Sequence, residues 1–126
     1  MILIFGGAYQ GKLDYAMERF GFTDGNVYRC GDGSIDSPGG AKIVYGIDKW
    51  ILALVNADAN ADNAVRQFIE DNRDSVVICS DISCGVVPAD PVLRKWREAV
   101  GRALSALADA SDEVHRLFCG IPTRIK

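Results

Sequence analysis

Unbroken apolar runs alternate along this chain with stretches whose apolar residues recur every three or four positions. That alternation is the pattern of parallel strands covered on both faces, joined by amphipathic helices. Ile2 to Phe5 form the first run, bounded by Gly6, and predict a buried strand. Lys12 to Phe20 predict a helix, with Ala16, Met17 and Phe20 on one face and Gly21 as its stop. Asn26 to Cys30 predict a second strand. From Gly31 to Gly40 nearly every residue is a turn former, which predicts a mobile surface loop reaching to about residue 41. Lys42 to Gly46 predict a third strand. Asp48 reads as the cap of a helix running through Ala57 and carrying Trp50, Ile51, Leu54 and Val55.

The second half repeats the theme. A helix from about Ala61 to Asn72 sets Ala64, Val65, Phe68 and Ile69 on one stripe, and Val76 to Cys79 predict a central fourth strand. A loop holding Gly85 and Pro88 leads to Pro91, suited to the first turn of a long helix ending near Ala110. Its inward face comprises Leu93, Trp96, Val100, Ala103, Leu104 and Leu107. Glu113 to Phe118 and Thr123 to Lys126 predict the last two strands. The whole reads as a single α/β domain over residues 1–126, three layers deep, with a mainly parallel sheet of five to six strands. A ligand edge is expected at the strand carboxyl ends.

Composition narrows the partners. The chain has 126 residues, enough for one domain with a real core, and a net charge of -3 with acidic and basic residues interspersed. No basic run marks a nucleic-acid partner. The first apolar run is too short for a signal peptide, and no segment approaches the roughly 20 apolar residues of a membrane span, so a cytoplasmic protein without a membrane partner is expected. Cys30, Cys79, Cys84 and Cys119 lack metal-site spacing, and His115 stands apart from any ligand cluster. Reduced cysteines in or near strands, a partly buried His115 and no metal site are expected.

The chemistry sits at the end of the first strand. Gly6, Gly11 and Lys12 fit G-x-x-x-x-G-K, the loop that turns backbone N-H groups onto a phosphate ahead of a helix N-terminus. Gly6, Gly7, Ala8, Tyr9, Gln10, Gly11, Lys12 and Leu13 are therefore the expected phosphate-binding segment, and the fold expected is of the P-loop NTPase type. Leu13 stands where this loop carries the Ser or Thr whose hydroxyl binds magnesium, and an isobutyl group cannot do so. Asp14, in the first helical turn, suits the helix dipole but would repel a nearby anion. Arg94, Arg97 and Arg102 read as a solvated helix face, with Arg94 and Arg97 close enough along the helix to act together on a phosphate.

Gly85-Val86-Val87-Pro88, then Arg94, Arg97, Gly101 and Arg102 on one helix, Asp112-Glu113-Val114, Gly120-Ile121 and Ile125-Lys126 resemble the adenosylcobinamide kinase/adenosylcobinamide-phosphate guanylyltransferase family of cobalamin assembly. The opening Met-Ile-Leu-Ile-Phe-Gly-Gly-Ala with Gly11-Lys12 is similar to that family's start, and the resemblance spans roughly residues 1–20 and 43–126. It implies ATP or GTP as cofactor, a corrinoid as a further partner and a homo-oligomer similar to a trimer. It also implies phosphorylation of the corrinoid followed by transfer of GMP through a guanylylated histidine.

Three positions depart from that pattern. Leu13 lacks the hydroxyl, and Tyr45 stands at the end of the third strand where the family resembles other P-loop proteins in carrying an aspartate that helps hold magnesium. The segment that carries the nucleophilic histidine in the family is shortened here to Gly31–Gly40, which has none, and His115 matches the final strand instead. Asp48 and Asp81 are the carboxylates placed to approach a bound phosphate's magnesium, Asp48 against its role as a cap. The expected function is nucleotide binding with impaired or redirected transfer, and little gain from magnesium. The alternative is a non-catalytic interaction or regulatory protein that uses the P-loop fold as a scaffold, a pseudoenzyme.

Overall fold

The computed structural model describes residues 1–7, 11–82 and 89–126. In chain order it contains β1 (Ile2–Gly6), α1 (Lys12–Phe20), β2 (Val27–Arg29), β3 (Ile43–Tyr45), α2 (Ile47–Asn56), α3 (Ala61–Asp71), β4 (Val76–Ser80), α4 (Pro91–Ala110), β5 (Glu113–Phe118) and β6 (Ile121–Arg124). The strands form one sheet in the order β2-β3-β4-β1-β5-β6. All neighbours are parallel except β5 and β6, whose Phe118 and Ile121 pair across a hairpin. This is the expected α/β, three-layer, P-loop NTPase-like fold.

Strand parity explains the three layers. Along β1, Leu3 and Phe5 face α2, α3 and α4, packing with Val77, Val114, Trp50, Phe68, Val100 and Leu107. Ile2 and Ile4 face the other way, toward α1 through Ala16, Met17 and Phe20. A continuous apolar run is needed because each face of the strand is covered. Proline at the start of α4 and the Asp90 carboxylate, which accepts from the N-H groups of Val92 and Leu93, fix that helix's beginning. Along α4 the predicted inward face holds at Val100, Ala103 and Leu107, with Trp96 and Leu104 partly buried. Leu93 is a correction: at 40% exposed it lies on the surface, because the packing of α4 against the core begins only at Trp96, in the following turn.

Between β2 and β3, residues 30–42 form no helix, yet the two strands are parallel and need a crossover. The loop supplies it and is tied down at two points. Trp50 donates its indole N-H to Ile35 O at 3.2 Å, and the buried Asn72 side chain donates to Pro38 O at 3.5 Å and Phe68 O at 2.8 Å. Among the described residues, no helix is long and apolar enough to cross a membrane.

Candidate functional site

Three strand ends and two helix starts meet at one edge of the sheet. β1 ends at Gly6, whose Cα has no room for a side chain: a Cβ there would lie 2.4 Å from Leu117 O of β5. Gly6 O accepts the N-H of Asp81 at 2.8 Å, tying the start of the phosphate loop to the residue after β4. Ala8, Tyr9 and Gln10 lie outside the described residues. The loop returns at Gly11, which takes the left-handed conformation (φ 77°) directly before α1 and permits the sharp entry that a side chain would strain.

Lys12 is the first residue of α1 and is 5% exposed, unusual for a lysine. Its ammonium donates to Gly7 O at 2.6 Å, which curls the side chain back over the loop rather than into solvent. Burial pushes its pKa below the usual lysine value, while the nearby Asp48 carboxylate opposes that shift. A buried cation held against a glycine-rich turn suits a multiply charged anion, which restores the solvation the ammonium has lost.

Asp48 is placed differently from expectation. Gly46, also left-handed (φ 81°), stands in the cap position of α2, with no side chain bonding to the helix's first N-H groups. The strand must turn into the helix at once, and only glycine does so without strain. Asp48 is therefore the second helical residue, and its carboxylate accepts the N-H of Ser80 at the end of β4, at 3.0 Å. It is 5% exposed. The indole N-H of Trp96 in α4 donates to Asp48 O at 2.8 Å, so α4 braces the same turn.

A cavity of about 430 Å³ opens here, lined by Lys12, Leu13, Tyr45, Asp48, Ser80 and Trp96, with Gly11, Asp14, Lys49 and Ile82. Leu13 presents hydrocarbon to it and packs partly into the α1-side core. The Arg29 guanidinium lies 5.7 Å and the Lys49 ammonium 6.0 Å from the Tyr45 ring centroid. These distances place both cations at the ring's face. Beneath the floor, Cys79 is fully buried and its pKa is pushed well above the usual thiol value, first by burial.

The other candidates lie elsewhere. Arg94 is exposed and Arg97 half-buried on α4, and neither lines the cavity. Arg102 pairs with Asp62 at 3.0 Å in a groove between α3 and α4. His115 is 3% exposed rather than partly buried; its Nδ1 is 3.0 Å from the Tyr15 hydroxyl and its Nε2 3.4 Å from a Glu113 carboxylate oxygen. The Tyr15 contact holds α1 to β5, the Glu113 contact lies within β5, and together they give the histidine a structural position. Gly85 and Pro88, with Cys84, fall outside the described residues. Ser80 and Trp96 were not singled out as site residues by sequence. Ser80 is the first polar residue after the apolar run of β4, and an indole N-H on an inward helix face needs an acceptor. Both were available signals.

A parallel sheet whose central strand runs through a glycine turn onto a lysine-bearing helix start is the architecture of a P-loop nucleotide-binding domain. Residues 41–125 match the family of cobinamide kinase / cobinamide phosphate guanyltransferase. That span is more than half of the chain, and the chain belongs to this family. It begins just before β3, so membership rests on the span from β3 to β6. No curated protein matches the chain.

Proposed function

We propose that this protein binds ATP or GTP by its phosphates in the cavity at the carboxyl edge of the sheet, with phosphoryl and nucleotidyl transfer impaired or redirected. The observation that carries the reading is Lys12, buried at the start of α1 with its ammonium folded onto Gly7 O and facing the cavity. A lysine otherwise has little reason to sit at a helix start, where the dipole disfavours it, or out of water. The family's named activities are those of nucleotide-using enzymes. Gly6, Gly7, Gly11 and Lys12 are the cradle assigned here, together with Ala8, Tyr9 and Gln10 from the sequence pattern. A corrinoid is the second substrate proposed from family membership, and a homo-oligomer similar to a trimer is the proposed assembly.

Leu13 and Tyr45 support the reading of altered transfer. Neither offers an oxygen suited to magnesium, and Tyr45 has two cations for neighbours. The shortened loop also has no histidine to carry a guanylyl group. Thermal melting with ATP, GTP and their diphosphates tests the proposal, because a ligand that binds only the folded state raises the melting temperature by mass action. A shift that disappears in Lys12→Ala is expected. No shift in either protein favours the alternative, a non-catalytic interaction protein built on this fold.

A further inference from the structure

A buried carboxylate beside a phosphate cradle needs a reason. Asp48 does not cap α2, since Gly46 occupies that position, and keeping a carboxylate out of water costs several kcal/mol unless other groups compensate. The Ser80 N-H supplies one hydrogen bond and the Lys12 charge an attraction. The field of Asp48 also reaches Lys12, so it competes with any phosphate for that ammonium and repels the phosphate oxygens themselves. A divalent cation between carboxylate and phosphate removes the conflict.

The donors present fit such an ion through Asp48 and not through the positions where the loop pattern would put it. Magnesium takes one or two protein oxygens and completes its shell with phosphate oxygens and waters. Leu13 and Tyr45 bring no carboxylate to the cavity, whereas Asp48 does. Asp48 and Ser80 line the same cavity as Lys12, one from the first turn of α2 and the other from the end of β4.

We infer that Asp48, with Ser80 beside it, is the residue through which this chain couples magnesium to a bound nucleotide. The inference rests on nucleotide binding at Lys12, and it replaces the expectation that magnesium adds little. Magnesium when bound neutralises charge between the phosphates and the carboxylate. Asp48 holds its side of that contact at a fixed point, because the Ser80 N-H and the Trp96 indole lock the turn that carries it.

The test is calorimetric titration of ATP and GTP into wild type and Asp48→Asn, each in EDTA and in magnesium. Asparagine retains an oxygen for the Ser80 N-H and removes only the charge. Wild type should bind about tenfold more tightly with magnesium, the order expected for one charge-assisted contact. In Asp48→Asn the gain should fall below about twofold while affinity in EDTA is equal or higher. With manganese in place of magnesium, electron paramagnetic resonance should show a manganese–nucleotide spectrum changed by wild type from that of the complex in buffer, and left nearly as in buffer by the variant. Equal wild-type affinity in EDTA and magnesium overturns the inference while leaving nucleotide binding intact, as does a full magnesium gain in Asp48→Asn. Absence of binding in every arm overturns both proposals. Should Asp48→Asn fail to fold by circular dichroism, Asp48→Ser takes its place with the same expected outcomes.

Discussion

Gly6→Ala offers a sharp test of the geometry at the mouth of the site. The added Cβ would lie 2.4 Å from Leu117 O, about 1 Å inside van der Waals contact. The obstacle is backbone, and it belongs to a strand paired with β1 from Ile2 through Gly6. β1 is held on its other side by β4, so the methyl cannot be relieved by moving a flexible side chain. Overpacking of this kind costs about 1–3 kcal/mol. For a chain of this size that corresponds to a fall of roughly 4–11 °C in Tm, read by differential scanning calorimetry. Gly101→Ala is the internal control. Gly101 lies in α4 with open space around its Cα, so the same chemical change should raise Tm by roughly 2–5 °C through helix propensity. A Gly6→Ala protein melting within about 1 °C of wild type would refute the close approach of β1 and β5.

Further outcomes follow from the buried ionisable groups. The folded-state pKa of Lys12 lies below the lysine value, so its charge costs the fold at neutral pH and that cost is relieved as pH rises through the lowered pKa toward 10.5. The stability of wild type relative to Lys12→Met should therefore increase as pH rises toward 10.5 in chemical denaturation; a flat difference would contradict the burial of the ammonium. Cys30 is pushed up to about 12, chiefly by burial with Asp48 and Asp32 adding, and Cys79 is also raised. Both should react with a thiol reagent at pH 8 at least about a hundredfold more slowly than in denaturant, whereas the exposed Cys119 labels readily, as peptide mass spectrometry would show. Rapid labelling of Cys79 in the folded protein would contradict its place beneath the cavity.

The elements were largely legible in the sequence because their signals are local. Lys12–Phe20, Pro91–Ala110 and Glu113–Phe118 fall where apolar spacing and punctuation put them. The second and third strands came out shorter than expected, ending at Arg29 and Tyr45, since polar flanks such as Asn26 and Lys42 carry no ladder signal of their own. The last strand begins earlier, at Ile121, because pairing with β5 rather than apolar spacing decides it. The loop at 31–40 was recognised as turn-rich, but its anchors Trp50 and Asn72 are distant in sequence.

The site was legible only in part, for the same reason. Lys12 announces itself by standing next to Gly11. Asp48 was misplaced, because an acidic residue near a helix start reads as a cap until the turn geometry at Gly46 is known. Ser80, Trp96 and Asp48 come from β4, α4 and α2, and no spacing along the chain joins them. Tyr45 is similar: its lack of a carboxylate is visible in sequence, whereas the two cations over its ring appear only when β2 and α2 are packed beside it.

The central claim is that nucleotide phosphates occupy the cavity through Lys12. Its most direct test is titration of ATP and GTP, in EDTA so that no metal effect intervenes, into wild type and Lys12→Ala of equal foldedness. Saturable binding to wild type, weakened at least about tenfold in Lys12→Ala, is the predicted result. Equal binding by the two proteins, or none by wild type, would contradict it.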